Sequence, residues 1–168
     1  MRRVLPPGVS VPAAVLRSLV LALPCAALAL ALPEVPHWAV IAGVVSSGLV
    51  WARTPDHAIG VAPLVLVAGW WAAHGVLDWR VLVVGVLLLA AHLAATLASY
   101  GPATLAVDVR LVRLWLGRGL LALVPMPVAW FAVRGLGTTT APPGLWLVTG
   151  GVVVGLLLVT ARLTRSVP

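Results

Sequence analysis

Residues 81–100 read VLVVGVLLLAAHLAATLASY, a run of twenty positions with no Asp, Glu, Lys or Arg. An α-helix rises about 1.5 Å per residue, so a run of this length matches the roughly 30 Å hydrocarbon core of a bilayer. The remainder of the chain is built in the same way. Of its 168 residues, 62% are hydrophobic and 9% charged, and the mean hydropathy is +1.13. A soluble domain carries about 25% charged residues, and fifteen charged side chains cannot clothe a water-facing surface. Disorder needs low hydrophobicity with high charge, so the same figures exclude it. The composition specifies an integral membrane protein.

Working outward from 81–100, charges and Pro/Gly breaks delimit six apolar segments, at 12–32, 37–52, 59–76, 81–100, 114–133 and 144–161. The expected fold is an all-α polytopic bundle of six spans. The second segment has only 16 residues, short of the bilayer core. It either extends back through Pro36 or pairs with the third segment as a re-entrant hairpin, and four spans plus such a pair is the alternative. The longest connections, 101–113 and 134–143, are too short to bury a core. The chain therefore reads as one transmembrane domain over 1–168, with no soluble domain.

The arginines set the orientation. With a cytoplasmic N-terminus, Arg2, Arg3, Arg17, Arg53, Arg110, Arg113, Arg118, Arg162 and Arg165 lie inside, while only Arg80 and Arg134 lie outside. A nine-to-two split is a strong positive-inside bias, and it puts both termini in the cytoplasm. Interfacial aromatics agree: Trp38, Trp70, Trp71, Trp79, Trp130 and Trp146 fall near the outer surface, and Trp51, Tyr100 and Trp115 near the inner one. Lys, Asn and Gln are absent and Ile occurs twice, a skew that fits a GC-rich genome and a bacterial inner (plasma) membrane. Arg2, Arg3 and Ala29-Leu30-Ala31 imitate a signal peptide, but the apolar run is too long, and Arg17 and Pro33 argue against cleavage. Cys25 stands alone, and its expected role is apolar packing.

His92 is the ionisable side chain placed inside a span, which makes it a candidate functional residue. At helical spacing it shares a face with Thr96 and Ser99. The trio is a candidate intramembrane polar site, although with no Asp or Glu in any span the favoured role for His92 is hydrogen-bonded packing. Arg110, Arg113 and Arg118 are candidate contacts for anionic lipid or for a protein partner. Gly43 with Ser47, and Gly151 with Gly155, are spaced by four and mark close helix packing. Pro24, Pro63, Pro125 and Pro127 are expected to kink or unwind their helices, which makes 125–127 the expected place for a cavity. His37, His74 and Asp78 gather near the outer interface without metal-ligand spacing, and a local hydrogen bond suffices for His57. Nothing resembles a nucleophilic triad, a phosphate-binding loop or a carboxylate pair. The expectation is no enzyme, no cofactor, no metal and no nucleic acid, despite a pI near 11.8.

Leu89-Ala90-Ala91-His92-Leu93-Ala94-Ala95 leads to a Gly/Pro break, a basic connection through Arg110 and Arg113, and another apolar span. This arrangement resembles small multi-pass membrane proteins of high-GC Gram-positive bacteria encoded beside MoxR-type ATPases. The resemblance implies an accessory membrane role and identifies no catalytic residue. The expected function is an accessory or scaffold subunit, with the lipid bilayer and other membrane or cytosolic proteins, or a second copy, as partners. The alternative is a small transporter or channel component that uses His92 and the proline-broken fifth span.

Overall fold

Helix starts in this chain are marked by the few side chains able to accept from a free backbone N–H. The Ser10 hydroxyl accepts from Ala13 N–H at 3.4 Å, and Asp78 and Asp108 each accept, at 2.9 Å, from the N–H of the arginine two residues on. His37 and His57 do the same through Nδ1, toward Ala39 at 3.3 Å and Ile59 at 3.2 Å. Each such bond satisfies one of the four orphan donors that every helix exposes at its start.

The computed structural model describes residues 10–31, 34–74, 78–100, 108–127 and 130. The chain divides into two compact units, Met1–Phe131 and Ala132–Pro168, and every described residue belongs to the first. The sixth expected span, with Gly151 and Gly155, lies outside the described residues, as does 134–143.

Among the described residues every regular element is helical: α1 (Val11–Ala29), α2 (Trp38–Arg53), a short 3-10 helix (Ala58–Gly60), α3 (Val61–Ala73), α4 (Arg80–Ser99) and α5 (Val109–Leu123). Two of them, α1 and α4, are long and apolar enough to cross a membrane; α2 and the 58–73 run are shorter.

Several boundaries differ from the sequence reading, each for a local reason. Helix α5 starts at Val109 rather than 114 because Asp108 caps it, which moves Arg110 and Arg113 from a connection into the first turns of a helix. Helix α2 begins at Trp38, capped by His37, so it does not extend back through Pro36. Pro63 falls in the first turn of α3, where its missing N–H is not needed. Pro24 is buried inside α1, which runs on past it without a break. Only before Pro125 does the helix lapse, at Val124, and it resumes over 125–127.

Helix α1 packs against α2, α3 and α4, α2 packs against α3, and α5 lies on α4. The core has two levels. One gathers Ala27 and Leu28 near the end of α1, and Ala31 just past it, with Val44, Val67, Trp70, Trp71 and Val84. The other gathers Val20, Trp51, Ala91, Ala94 and Ala95, with Leu16, Ile59 and Leu64 against them. Helices α2 and α3 contribute to both levels, so each runs most of the length of α1.

Helix α5 runs antiparallel to α4. The Tyr100 and Trp115 rings lie 6.0 Å apart, a methyl on Gly119 would meet Leu93 Cδ1 at 2.5 Å, and one on Gly85 would meet the Met126 thioether. Beyond these, the Trp130 indole N–H donates to the Asp78 carbonyl at 3.3 Å. The outward surface carries large apolar side chains on every helix, among them Val15, Ile41, Val65, Val86 and Leu120.

Candidate functional site

The last carbonyls of a helix have no partner within it. At the end of α1 two of them are taken by side chains from other helices. Trp71 Nε1, from α3, donates to the Ala27 carbonyl at 3.3 Å. Arg80 Nη1, from the first turn of α4, donates to the Leu30 carbonyl at 3.2 Å. A cation there also meets the negative end of the α1 dipole.

Asp78 aims that guanidinium. One carboxylate oxygen accepts from Arg80 N–H, and the other accepts from Arg80 Nε at 2.6 Å. The guanidinium carbon then lies 5.8 Å from the centroid of the Trp71 ring, within cation–π range. Trp70 meets Trp71 edge-on at 5.6 Å. His74 stacks on Trp70 at 4.1 Å, and its Nδ1 donates to the Trp70 carbonyl at 2.7 Å. The result is a collar that ties α1, α3, α4 and Trp130 together at one end of the bundle. Its hydrogen bonds join segments distant in the sequence, so it acts as a latch between them. Among the described residues, no three His, Cys, Asp or Glu side chains converge in a metal-binding arrangement.

His92 is exposed on the outside of α4, and among the described residues its ring makes no hydrogen bond. Thr96 donates back to the His92 carbonyl at 2.8 Å, and Ser99 donates to the Thr96 carbonyl at 2.7 Å. The three share a helix segment but are not joined side chain to side chain. Ser47 is buried and its hydroxyl returns to the Gly43 carbonyl; a methyl on Gly43 would stand 3.0 Å from Leu66 Cδ1 on α3. Arg110 and Arg113 are exposed, and Arg118 is half-buried with its guanidinium 5.6 Å from the Trp115 ring centroid. Trp115 Nε1 is enclosed with no acceptor among the described residues. Met126, between Pro125 and Pro127, rests at the notch left by Gly85.

The collar was not anticipated from sequence, where Arg80 counted only as an outside charge and Trp71 only as an interfacial ring. A signal for it was present in Asp78-Trp79-Arg80, an acid–x–base triplet opening an apolar helix. Fold and site together define a class: an all-helical bundle with an apolar exterior, latched at one end and without a catalytic constellation among the described residues. No family model, curated protein or solved structure matches the chain.

Proposed function

We propose that this chain is a multi-pass bacterial inner-membrane protein with cytoplasmic termini that acts as an accessory or scaffold subunit. The observation that carries the membrane reading is an apolar exterior whose helical hydroxyls are bonded to their own backbone. Every helical Ser and Thr hydroxyl among the described residues turns back to a carbonyl of its own helix: Ser18, Ser46, Ser47, Thr96 and Ser99; Thr54, which ends α2, does the same. Large apolar side chains occupy the surface between them. That is the arrangement required where no water can satisfy a polar atom.

Full crossing by α2 and α3 is supported by their contribution to both core levels, whereas a re-entrant pair would reach only one. A fifth crossing is supported by the sequence of contacts from Trp115 to Trp130 along the whole of α4, which at 20 residues is about 30 Å long. The scaffold role is supported by the latch at the collar, which fixes α1, α3 and α4 to one another.

The test is cross-linking in native membranes, followed by extraction and mass spectrometry. The protein should stay in the membrane pellet through an alkaline carbonate wash, and one partner should be recovered in a constant ratio. Release by carbonate would refute the membrane assignment. Solute flux through the purified protein in liposomes, with no partner recovered, would refute the scaffold role in favour of transport.

A further inference from the structure

Two helices in this bundle open with the same triplet chemistry, Asp78-Trp79-Arg80 and Asp108-Val109-Arg110, and in both the aspartate accepts from the arginine N–H at 2.9 Å. The first is closed, since Arg80 turns back to its aspartate and on to the Leu30 carbonyl. The second is open. The Arg110 guanidinium makes no ion pair or hydrogen bond among the described residues, nor does that of Arg113, and both are exposed. We propose that the first turns of α5 bind the phosphate of an anionic phospholipid, with Arg110 and Arg113 as the recognising groups. The proposal rests on the membrane reading above.

Three features favour this occupant. At three- and four-residue spacing, Arg110, Arg113, Gly117, Leu120, Leu121 and Val124 share one outward face, and all are exposed. Leu120, Leu121 and Val124 are each more than half exposed, at 67%, 60% and 61%. From Arg113 to Leu120 the helix rises only about 10 Å, so the face passes from cationic to wholly apolar over the depth that separates a phosphate from acyl chains. An acidic protein surface would match the first half of that face and not the second. Next, both cations sit at the positive end of the α5 dipole, where positive charge is disfavoured; a bound phosphate relieves the dipole and the arginines together. Finally, Tyr100 and Trp115 pack together on the α4 side of α5, at the same height along the helix as the arginines, with Arg118 over the Trp115 ring, as in the aromatic belts that sit at headgroup depth.

The test uses the full-length protein in detergent, titrated with phosphatidylglycerol, phosphatidylcholine or inorganic phosphate and followed by native mass spectrometry. The wild type should retain phosphatidylglycerol in preference to phosphatidylcholine. Arg110→Gln with Arg113→Gln should reduce that preference about 30-fold, the equivalent of roughly 1 kcal/mol for each arginine near the surface. Arg110→Lys with Arg113→Lys should keep most of it, because lipid attraction follows charge. Arg53→Gln, on a different helix, should leave it unchanged. An equal effect of inorganic phosphate would overturn the lipid assignment in favour of a free-anion site. Equal retention of both lipids by the wild type, or no change in the glutamine double variant, would overturn it outright. Loss of preference in the lysine variant would point to the planar fork and so to an acidic protein. Release of the wild type from native membranes by the carbonate wash would instead remove the membrane reading itself.

Discussion

Gly60 joins the 3-10 helix to α3 and lies under the indole of Trp51, which is 3% exposed. A methyl group at Gly60 would stand 2.2 Å from Trp51 Nε1, 2.5 Å from Cε2 and 2.6 Å from Cδ1. Carbon contacts are optimal near 3.5–4.0 Å, so the ring has to retreat by about 1 Å. It is rigid, and it is seated in one cluster with Val20, Ala91, Ala94 and Ala95. The Gly60 backbone is ordinary right-handed helix, φ −59 and ψ −21, so alanine meets no conformational barrier there. Overpacking of this kind costs about 1–3 kcal/mol, and Gly60→Ala should lose that much in reversible unfolding from detergent, followed by circular dichroism. Gly69→Ala is the control, since a methyl there meets nothing within 4 Å; it should be neutral or gain up to about 1 kcal/mol from helix propensity. Trp51→Ala alone should be costly, but the double variant with Gly60→Ala should be less damaged than the sum by about 1 kcal/mol or more. A Gly60→Ala protein as stable as wild type, or strictly additive costs in the double variant, would refute the packing of Trp51 on Gly60.

The collar and the outer face of α4 give two further predictions. Arg80→Met keeps the apolar stem but strips the donor from the Leu30 carbonyl and the partner from Asp78, so it should destabilise by about 1–3 kcal/mol; an unchanged unfolding midpoint would mean that the collar does not latch the helices. His92→Leu replaces an exposed ring with no hydrogen bond among the described residues, and where that face meets lipid it should leave stability unchanged or raise it; a clear loss would mean that another chain covers this face.

The helical class and the approximate positions of α1, α2 and α4 are legible in the sequence because each is a long apolar run with at most one charge, bounded by turn-forming residues. The start of α5 was not, because apolarity marks where a helix enters an apolar setting and not where its hydrogen bonds begin. Asp108 starts the helix about one and a half turns before 114, where the apolar segment reads as beginning. Pro63 misled for a related reason: a proline reads as a break unless the helix start just before it is recognised. The collar was hidden because it joins Ala27 and Leu30 to side chains about 44 to 50 residues away, and no spacing rule in one sequence links a carbonyl to a distant indole or guanidinium. The polar identity of His92, Thr96 and Ser99 was plain, but hydroxyls that fold back on their own helix look the same in sequence as hydroxyls that reach across.

Whether the chain threads the membrane in alternating directions is tested most directly by thiol accessibility at the two exposed connections that flank α2. Cys25 is the only cysteine, so Cys25→Ala gives a clean background for Glu34→Cys and Asp56→Cys. With an impermeant maleimide, Glu34→Cys should label in intact cells, and Asp56→Cys should label only after permeabilisation. Labelling of Asp56→Cys in intact cells, or its failure to react both before and after permeabilisation, would contradict the crossing of α2 and α3 and the orientation built on the arginines.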